Sequence, residues 1–560
     1  MEIYYKAAPV LVHKNEKSPV AIASTPKSFG WVKLTWVLLA LGILIRLFHF
    51  LDNRSLWLDE IYLASSLVKM DLWELTFSYL EYEQKAPVGF LWMSKIAVLL
   101  FGNSEMALRL FPLICGIASL FLFVPVARHF LNPLGGAVAV GIMAFAPPIV
   151  YHSVEIKQYS AELLATILCL YLYTHYHRKR LLSSLMMWGV YGAAIIWFSF
   201  TSIFILAGMA MGVTLYHLLR KEWGTVFRMV LPFSLWLISF VINYCLFTSK
   251  LTDAAWLVHY FKIRNSFMPF PPSSFSDVVW PFQYLGTRLL HYPLGLLWDV
   301  SSIENEVLQY VLRRPIFAVT CSVFGVLLIF KRDKKLLLVL GFPFLLLLIA
   351  SALEVYPVWE RLTVFLAPLL ILIIAVGCER LAYFSRQFDR RLGFYLVLLL
   401  LAAPFYTSLK QVLMPQSFGE YKKSFFREAL LEIDKHYQAG DQVYIYWNIQ
   451  TPYLYYKDVL GLKFKGFEGS DFRNVSEGAN DYLTKVAAEI KSLNKNKRLW
   501  VLYSKRLSMN IGEFENNSGW YVQEVLEAQK LHMKLQGLGQ QVESFDTQYL
   551  NVSLYELREE

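Results

Sequence analysis

The sequence predicts a mainly α-helical protein that crosses a membrane many times and ends in a smaller α/β domain. Of its 560 residues, 56% are apolar and only 17% are charged, and the mean hydropathy is +0.42. Long apolar runs recur as far as residue 409 and then stop. A water-soluble chain of this size has too little interior to hide so much apolar surface, so lipid must solvate much of it.

Eleven apolar runs have about the length needed to cross a hydrocarbon core of about 30 Å. Basic clusters such as 177–180 and 331–335 fall between alternate runs and should be cytoplasmic, together with an N-terminal tail at 1–30. An odd number of crossings then puts the carboxyl terminus outside, which in a bacterial inner membrane is the periplasm. The runs are 31–50, 106–127, 136–151, 160–175, 184–199, 202–219, 226–247, 315–330, 336–353, 361–378 and 392–409.

This layout predicts a transmembrane domain at 31–409 with two long exterior loops, at 51–105 and 249–314. Residues 410–560 alternate helical and strand patterns, as a periplasmic α/β domain would. The predicted elements there are a helix at 420–437, a strand at 441–447, a helix at 481–492, a strand at 498–503, a helix at 522–536 and two strands near 541–556.

Several classes of function are excluded by what the chain lacks. The five cysteines all lie in apolar runs, so neither a disulfide framework nor a cysteine metal site is expected. The net charge of +10 fits basic cytoplasmic loops, and the sequence has no nucleic-acid-binding motif. The C-terminal region has no GxGxxG, P-loop or HExxH motif, so neither nucleotide binding nor metalloprotease activity is indicated there.

The first exterior loop carries ionisable residues beside apolar runs, where charge is expensive to keep and is therefore a functional-site hypothesis. Asp59 and Glu60 follow the first run, and Glu83 and Lys85 come later. Asp59 fits two compatible interpretations: a cap for a short helix, or a catalytic carboxylate. Lys85 is either a lysine that reaches lipid headgroups or part of the same site.

Two further charged patches lie at the ends of other apolar runs. Glu155, Lys157 and Tyr159 precede the fourth run, and Glu360 and Arg361 precede the tenth. Arg361 could be a solvated anchor. However, the predicted topology puts every patch on one side of the membrane, whereas independent anchors would occur on both. We therefore predict that the patches form one exterior site.

The second exterior loop contains His259 and Arg264, followed by a Pro-rich stretch that no regular helix can include. Two interpretations stay open. The segment is either an interfacial helix with basic and aromatic headgroup anchors, or a lid over a substrate.

Carboxylates beside lysine and arginine at a lipid boundary suit the transfer of a group from a polyprenyl phosphate. The cations would hold the phosphate and stabilise the charge that develops on it as it leaves. A carboxylate would remove the proton from an incoming hydroxyl or amine. The lipid tail could remain in the bilayer.

At these residues the chain resembles the membrane glycosyltransferases of the GT-C fold, in particular the protein O-mannosyltransferase and lipid A aminoarabinose transferase group (glycosyltransferase family 39 or 83-like). The motifs cover about the first 180 residues, and the rest agrees in layout. The matching segments are Trp57-Leu-Asp59-Glu60-Ile-Tyr-Leu-Ala, Lys85-Ala-Pro87-Val-Gly-Phe-Leu-Trp92 and Leu100-Phe-Gly102-Asn-Ser-Glu-Met-Ala-Leu-Arg109.

The resemblance implies a polyprenyl-phosphate-linked sugar donor, an exterior active site and an inverting displacement onto a lipid, glycan or protein acceptor. Asp59 is then the base and Glu60 its acidic neighbour. Lys85, Lys157 and Arg361 are assigned to the donor phosphate, and the remaining candidates to substrate: Glu83, Glu155, Tyr159, His259, Arg264 and Glu360.

The chain departs from the family pattern beside Lys85. It has Lys-Ala-Pro where relatives often have Lys-Pro-Pro, and Gln84 where the aminoarabinose transferases have glutamate. No metal ligands are therefore assigned and no cofactor is certain, although Glu83 or His259 could substitute if a divalent metal takes part.

Two other classes of function fit a multi-spanning chain. A transporter or flippase of lipid-linked saccharides would be expected to have two matching halves, and the sequence has no such symmetry. A scaffold that binds glycan through its exterior domain would tolerate the loss of Asp59 and Lys85, whereas an enzyme would not.

Overall fold

The computed structural model describes residues 28–247, 249, 255–298, 300, 304–312, 314–385, 387–389, 391–419, 424–493, 498–505, 520, 528–537 and 539–557. Most of the predicted tail at 1–30, parts of the second exterior loop and the beginning of the predicted helix at 522–536 lie outside these residues. The described chain forms a helical bundle followed by a five-stranded sheet flanked by helices.

Each of the eleven predicted runs coincides with a helix of the bundle. The helices of the bundle are α1 (Ser28–Asp52), α5 (Glu105–Phe130), α6 (Pro133–Phe145), α7 (Pro147–His152), α8 (Tyr159–Tyr176), α9 (Leu182–Ile196), α10 (Ser202–Leu219), α11 (Trp223–Leu246), α16 (Ile316–Arg332), α17 (Lys334–Ala352), α18 (Ala367–Ser385) and α19 (Leu392–Leu413). Seven helices in the described part are long and apolar enough to cross a membrane: α1, α5, α10, α11, α17, α18 with the turn before it, and α19. The other four predicted runs form α6, α8, α9 and α16. The predicted fold class is confirmed.

The centre of the bundle is α18, preceded by a 3-10 turn over Glu360–Leu366. Almost the whole of this segment is buried, since 94% of its most apolar 18 residues lie inside the protein. Gly377 lets α18 and α16 approach each other closely, since it has no side chain. A Cβ at this position would lie only 1.8 Å from the carbonyl oxygen of Cys321 in α16. The turn that carries Arg361 is thus attached to a buried, closely packed helix.

Arg46 of α1 is fully buried at the break between α6 and α7. Pro147 and Pro148 have no N–H, so the carbonyls four residues earlier, Met143 and Ala144, lose their helical donors. Arg46 replaces both donors: Nη2 donates to the Met143 oxygen at 3.0 Å and Nη1 to the Ala144 oxygen at 3.1 Å. The guanidinium therefore stabilises the kink that directs α7 towards the charged patches.

We expect the Arg46→Met variant to lose stability, because the two carbonyls would be buried without donors at a cost of about 1–3 kcal/mol each. The measurement is the free energy of unfolding of the detergent-solubilised protein. Lys33→Met, on an exposed position of the same helix, is the matched control and should change it little. Equal losses in the two variants would show that the carbonyls do not depend on Arg46.

The first exterior loop is mostly helical. It contains α2 (Leu58–Lys69), α3 (Leu72–Phe77), a 3-10 turn (Glu81–Glu83) and α4 (Val88–Phe101). The helix α4 was not predicted from the sequence, and its 14 residues are too few to cross a bilayer. Its exposed residues are apolar and include Trp92, Ile96, Leu99 and Leu100, as suits a helix that lies against lipid.

Shorter helices connect the bundle across the second exterior loop. They are α12 (Ala255–Lys262), α13 (Phe275–Gln283), α14 (Leu289–His291), which follows a π-helical turn, and α15 (Glu306–Leu312). Ser266 accepts the backbone N–H of Val358 at 2.8 Å, and Lys262 pairs with Glu354 at 2.7 Å. The beginning of the second loop therefore lies beside the turn that leads to Arg361.

The C-terminal region has the predicted α/β character. Its sheet has the order β2-β1-β3-β5-β4, in which β1, β2 and β3 are parallel and β5 is antiparallel to β3 and β4. Two of its elements, α21 and β2, were not predicted from the sequence. The elements are α20 (Phe426–His436), β1 (Gln442–Ile445), α21 (Gln450–Leu460), β2 (Phe467–Glu468), α22 (Ala479–Ser492), β3 (Arg498–Ser504), α23 (Ala528–Gln536), β4 (Gly539–Asp546) and β5 (Leu550–Leu557).

The C-terminal sheet shares a hydrophobic core with the first exterior loop. Leu56, Ile61 and Leu67 belong to the same buried cluster as Ile433 and Val443. At the edge of this cluster, the hydroxyl of Tyr456 accepts the backbone N–H of Leu56 at 2.8 Å, and its own proton is donated to Glu105. Arg427 also pairs with Glu105. The C-terminal domain therefore holds the first loop, and so α2, in place.

Candidate active site

Asp59 lies in the first turn of α2, only 7% exposed, and contacts two of the other charged patches. Lys157 Nζ donates to Oδ1 at 2.9 Å, and Arg361 Nη1 donates to Oδ2 at 2.6 Å. Burial alone would raise the pKa of Asp59, but the positive charges of Lys157 and Arg361 hold it below its usual value. Residues 302 positions apart thus meet at one carboxylate.

Glu60 points the other way, into a fully buried network. Arg109 donates to both carboxylate oxygens, at 3.1 and 2.9 Å, and Arg54 donates to Oε2 at 2.7 Å. The backbone N–H of Ile156 donates to Oε1 at 3.0 Å. Burial raises the pKa of Glu60, but the two arginines more than offset this and hold the pKa below normal. Both oxygens are therefore used in joining α2 to α5 and to the segment after α7.

Glu155 forms a second buried carboxylate cluster beside Asp59. Its Oε1 accepts the indole N–H of Trp57 at 3.2 Å, and its Oε2 lies 2.6 Å from His152 Nδ1. The other ring nitrogen of His152 lies 2.5 Å from the hydroxyl of Tyr292. This chain of contacts joins Trp57, two residues before Asp59, to Tyr292 of the second exterior loop.

Arg361 is held between two aromatic rings. Its guanidinium carbon lies 5.8 Å from the ring centroids of both Trp57 and Tyr159, within the range of cation–π attraction. The side chain is 25% exposed, against 10% for that of Asp59. Arg361 is thus positioned by rings and carboxylate while part of its guanidinium faces outward.

Asp59 and Glu60 each contact two cations. Arg54 and Arg109 donate to Glu60, and Lys157 and Arg361 donate to Asp59. Two positive charges beside each carboxylate attract an anion, and burial strengthens this attraction. The arrangement suits a phosphate that approaches from the side where Arg361 is exposed.

The predicted site residues divide into those that meet in this cluster and those around it. Asp59, Glu60, Glu155, Lys157, Tyr159 and Arg361 come together. Lys85 is half-buried and follows Gln84, whose side-chain oxygen accepts Lys157 Nζ at 2.6 Å, so its backbone lies beside the cluster. Glu83 and Glu360 are exposed neighbours of Gln84 and Arg361, and Glu83 has a positive φ of 51°.

The two candidates from the second loop lie on and just after α12. His259 is exposed. The guanidinium of Arg264 lies 3.6 Å from the ring centroid of Tyr260 and donates to the Tyr260 carbonyl at 3.1 Å. Arg264 therefore packs against Tyr260 of α12. The contact between this loop and the cluster is made by Tyr292, through His152.

Five residues that hydrogen-bond to the cluster were not predicted from the sequence. They are Arg54, Gln84, Arg109, His152 and Tyr292. Arg109 lies within a quoted motif and His152 lies three residues before Glu155, so proximity to the patches was a usable signal. Tyr292 gave none, since a tyrosine in a long loop has no distinguishing pattern. Within the described residues, no group of three or more His, Cys, Asp or Glu side chains could hold a metal ion.

The depressed pKa of Glu60 predicts acid sensitivity. A carboxyl whose pKa is lower in the folded than in the unfolded protein contributes stability above its unfolded pKa, near 4.5 for glutamate, and this is lost as the pH falls through the folded value. We expect the thermal unfolding midpoint to fall with pH below about 4.5. The slope should be smaller in Glu60→Gln; an identical slope would contradict the role of this carboxylate.

Comparisons with known proteins show what the chain is similar to. The model of the dolichyl-phosphate-mannose-protein mannosyltransferase family matches residues 85–246. The crystal structure of ArnT from Cupriavidus metallidurans in the apo state is similar over 94% of this chain and 98% of its own, with 14% identity and a TM-score of 0.50. No curated protein sequence matches the chain.

Two other solved structures resemble the chain less closely in shape. ArnT from the same organism bound to undecaprenyl phosphate covers 94% of this chain and 98% of its own, with 13% identity and a TM-score of 0.48. The oligosaccharyltransferase AglB from Archaeoglobus fulgidus, in complex with an inhibitory peptide and a dolichol-phosphate, covers 92% of this chain and 73% of its own, with 13% identity and a TM-score of 0.46. The chain thus has the GT-C fold, and its residues 85–246 match the mannosyltransferase family named above.

Proposed function

We propose that this protein is a membrane glycosyltransferase that moves a sugar from a polyprenyl-phosphate donor to an acceptor hydroxyl or amine. One observation carries the proposal: Asp59 is in contact with both Lys157 and Arg361. A base and two phosphate-binding cations are what such a transfer needs in one place. The match of residues 85–246 to a family described by a dolichyl-phosphate sugar supports this donor class.

In the proposed step, the acceptor oxygen or nitrogen attacks the anomeric carbon of the sugar on the face opposite the phosphate. The bond from this carbon to the phosphate oxygen breaks, and its electron pair stays on the phosphate. Asp59 takes the proton of the acceptor. Because a single displacement occurs, the configuration at the anomeric carbon inverts.

The charged residues have separate roles in this proposal. Lys157 and Arg361, with Lys85 beside them, bind the donor phosphate and stabilise its developing charge. Glu60 positions rather than reacts, because it is fully buried among buried arginines. Asp59 also has both oxygens engaged, but its partner Arg361 is 25% exposed and so open to a donor. Glu155 and Tyr159 hold Trp57 and Arg361 against the cluster.

We infer that the site faces the periplasm of a bacterial inner membrane. The clusters of lysine and arginine at 177–180 and 331–335 follow the ends of α8 and α16 that are opposite the site, and such clusters stay cytoplasmic. The C-terminal domain, which packs on the first loop, is then periplasmic. Cysteine labelling of a residue in α22 with a membrane-impermeant reagent on intact spheroplasts would test this, because labelling is expected only if the domain is outside.

The function is tested by giving the purified protein in detergent a panel of radiolabelled polyprenyl-phosphate sugars with membrane extract as acceptor. We expect one sugar to move to a product and polyprenyl phosphate to be released. A transporter would leave every donor intact in detergent, where there is no second compartment. The absence of turnover with all donors, from protein that remains folded, would contradict the proposal.

A further inference from the structure

Both oxygens of Asp59 are engaged by the cations that the donor phosphate would need. Lys157 and Arg361 hold one oxygen each, and the carboxylate is 7% exposed. A carboxylate paired in this way is stabilised in its charged form and is a poor proton acceptor. This pairing therefore fits neither strong phosphate binding nor strong basicity.

We propose that the donor phosphate takes Lys157 and Arg361 away from Asp59, so that this carboxylate becomes an effective base only when the donor is bound. The inference rests on the proposed function and adds a regulation of the same site. It follows from competition: two cations cannot satisfy a carboxylate and a phosphate equally in a space with little water.

The surroundings of the two cations allow this exchange with little movement. Arg361 is held by the rings of Trp57 and Tyr159 independently of Asp59, and its side chain is 25% exposed. Lys157 has a second partner in Gln84 Oε1 at 2.6 Å. Each side chain can therefore turn its charged group towards a phosphate on the exposed side, while its other contacts keep it in the cluster.

Once the cations turn away, the remaining groups around Asp59 favour a proton on it. Glu155 acts on Asp59 as a like charge, Tyr159 lies beside it, and burial opposes ionisation. The positive charges of Arg54 and Arg109 are engaged by Glu60, which points away. Donor binding thus raises the proton affinity of Asp59. In the donor complex alone, a fraction of the carboxylates takes a proton from solvent, and during turnover an ionised Asp59 accepts the proton of the acceptor.

The exchange is tested by isothermal titration calorimetry of the full chain in lipid nanodiscs with undecaprenyl phosphate, which has the phosphate but no sugar. At pH 8 the phosphate is almost fully ionised, and two buffers of different ionisation enthalpy give the number of protons taken up. We expect proton uptake in the wild type, and less in Asp59→Asn. We also expect Asp59→Asn to bind the phosphate roughly ten-fold more tightly, because the competing charge is gone.

The other variants separate failure of this inference from failure of the proposed function. Lys157→Gln and Arg361→Gln should each weaken binding by roughly ten-fold. Glu81→Gln, which removes a carboxylate paired with Lys69 elsewhere in the first loop, is the matched control and should leave affinity unchanged. If both cation variants weaken binding but Asp59→Asn binds equally or less tightly, the exchange is wrong and the donor site stands. If the cation variants bind normally, the donor site itself is wrong.

The wild-type measurement needs no substitution and covers the case in which Asp59→Asn fails to fold. Equal apparent enthalpies in the two buffers would mean that no net proton is taken up on binding, which would overturn the exchange.

Discussion

Replacing Asp59 with asparagine should lower the rate of sugar transfer by a factor of about 10² to 10⁴, the contribution that a positioned general base makes. Asparagine has the same shape and keeps an oxygen that can accept from Lys157 or Arg361, so the cluster should remain assembled. The loss should appear in kcat, while the affinity for the donor should not fall, because the phosphate-binding cations are still present and no longer pair with a charged carboxylate. The measurement is product formation under saturating donor.

Glu81→Gln is the control for the Asp59 variant, since it removes a carboxylate from the same loop outside the cluster. It should retain wild-type turnover. Full activity in Asp59→Asn would show that Asp59 is not the base and that another group accepts the proton. A fall that tracks loss of folded protein, measured by thermal unfolding in detergent, would assign Asp59 a structural role instead.

Glu60→Ala should have the largest effect on stability, about 3–5 kcal/mol. The substitution leaves the guanidiniums of Arg54 and Arg109 buried with their main acceptor removed. The N–H of Ile156 also loses its acceptor. Because three segments meet at this carboxylate, we expect a lower unfolding midpoint and a lower yield of folded protein, measured by fluorescence-detected size exclusion.

Glu60→Gln distinguishes positioning from catalysis at this residue. The amide keeps the shape and one acceptor, so part of the stability and most of the per-molecule activity should be recovered. Lys69→Ala, which breaks an exposed ion pair of the same loop, should cost at most about 1 kcal/mol. A stable Glu60→Gln protein with no turnover would show that Glu60 takes part in the reaction and is not only a positioning residue.

The sequence predicts the fold class well because membrane segments follow a strong physical constraint. Without water in the bilayer, backbone groups must pair within a helix, so apolar length alone indicates spanning helices. The constraint is weaker outside the bilayer. The 14-residue α4 has the composition of a span and not the length, and α21 has mixed polarity and no distinctive pattern.

The meeting of the charged patches could also be predicted, because topology alone puts Asp59, Lys157 and Arg361 on one side of the membrane. The direction of each side chain could not. Asp59 and Glu60 are neighbours, yet on a helix adjacent residues point about 100° apart, so one meets the proposed phosphate-binding cations and the other a buried arginine pair. The surroundings of each residue depend on the rotation of α2 about its own axis relative to α5. This rotation depends on the packing of α2 against the C-terminal domain.

The most direct test of the central claim is an experimental structure of the full chain with undecaprenyl phosphate bound. We predict that the phosphate oxygens lie about 3 Å from Lys157 Nζ and the Arg361 guanidinium, with Asp59 released from both cations. A phosphate bound at the opposite end of the helices, or one that leaves the contacts of Asp59 with Lys157 and Arg361 unchanged, would contradict it.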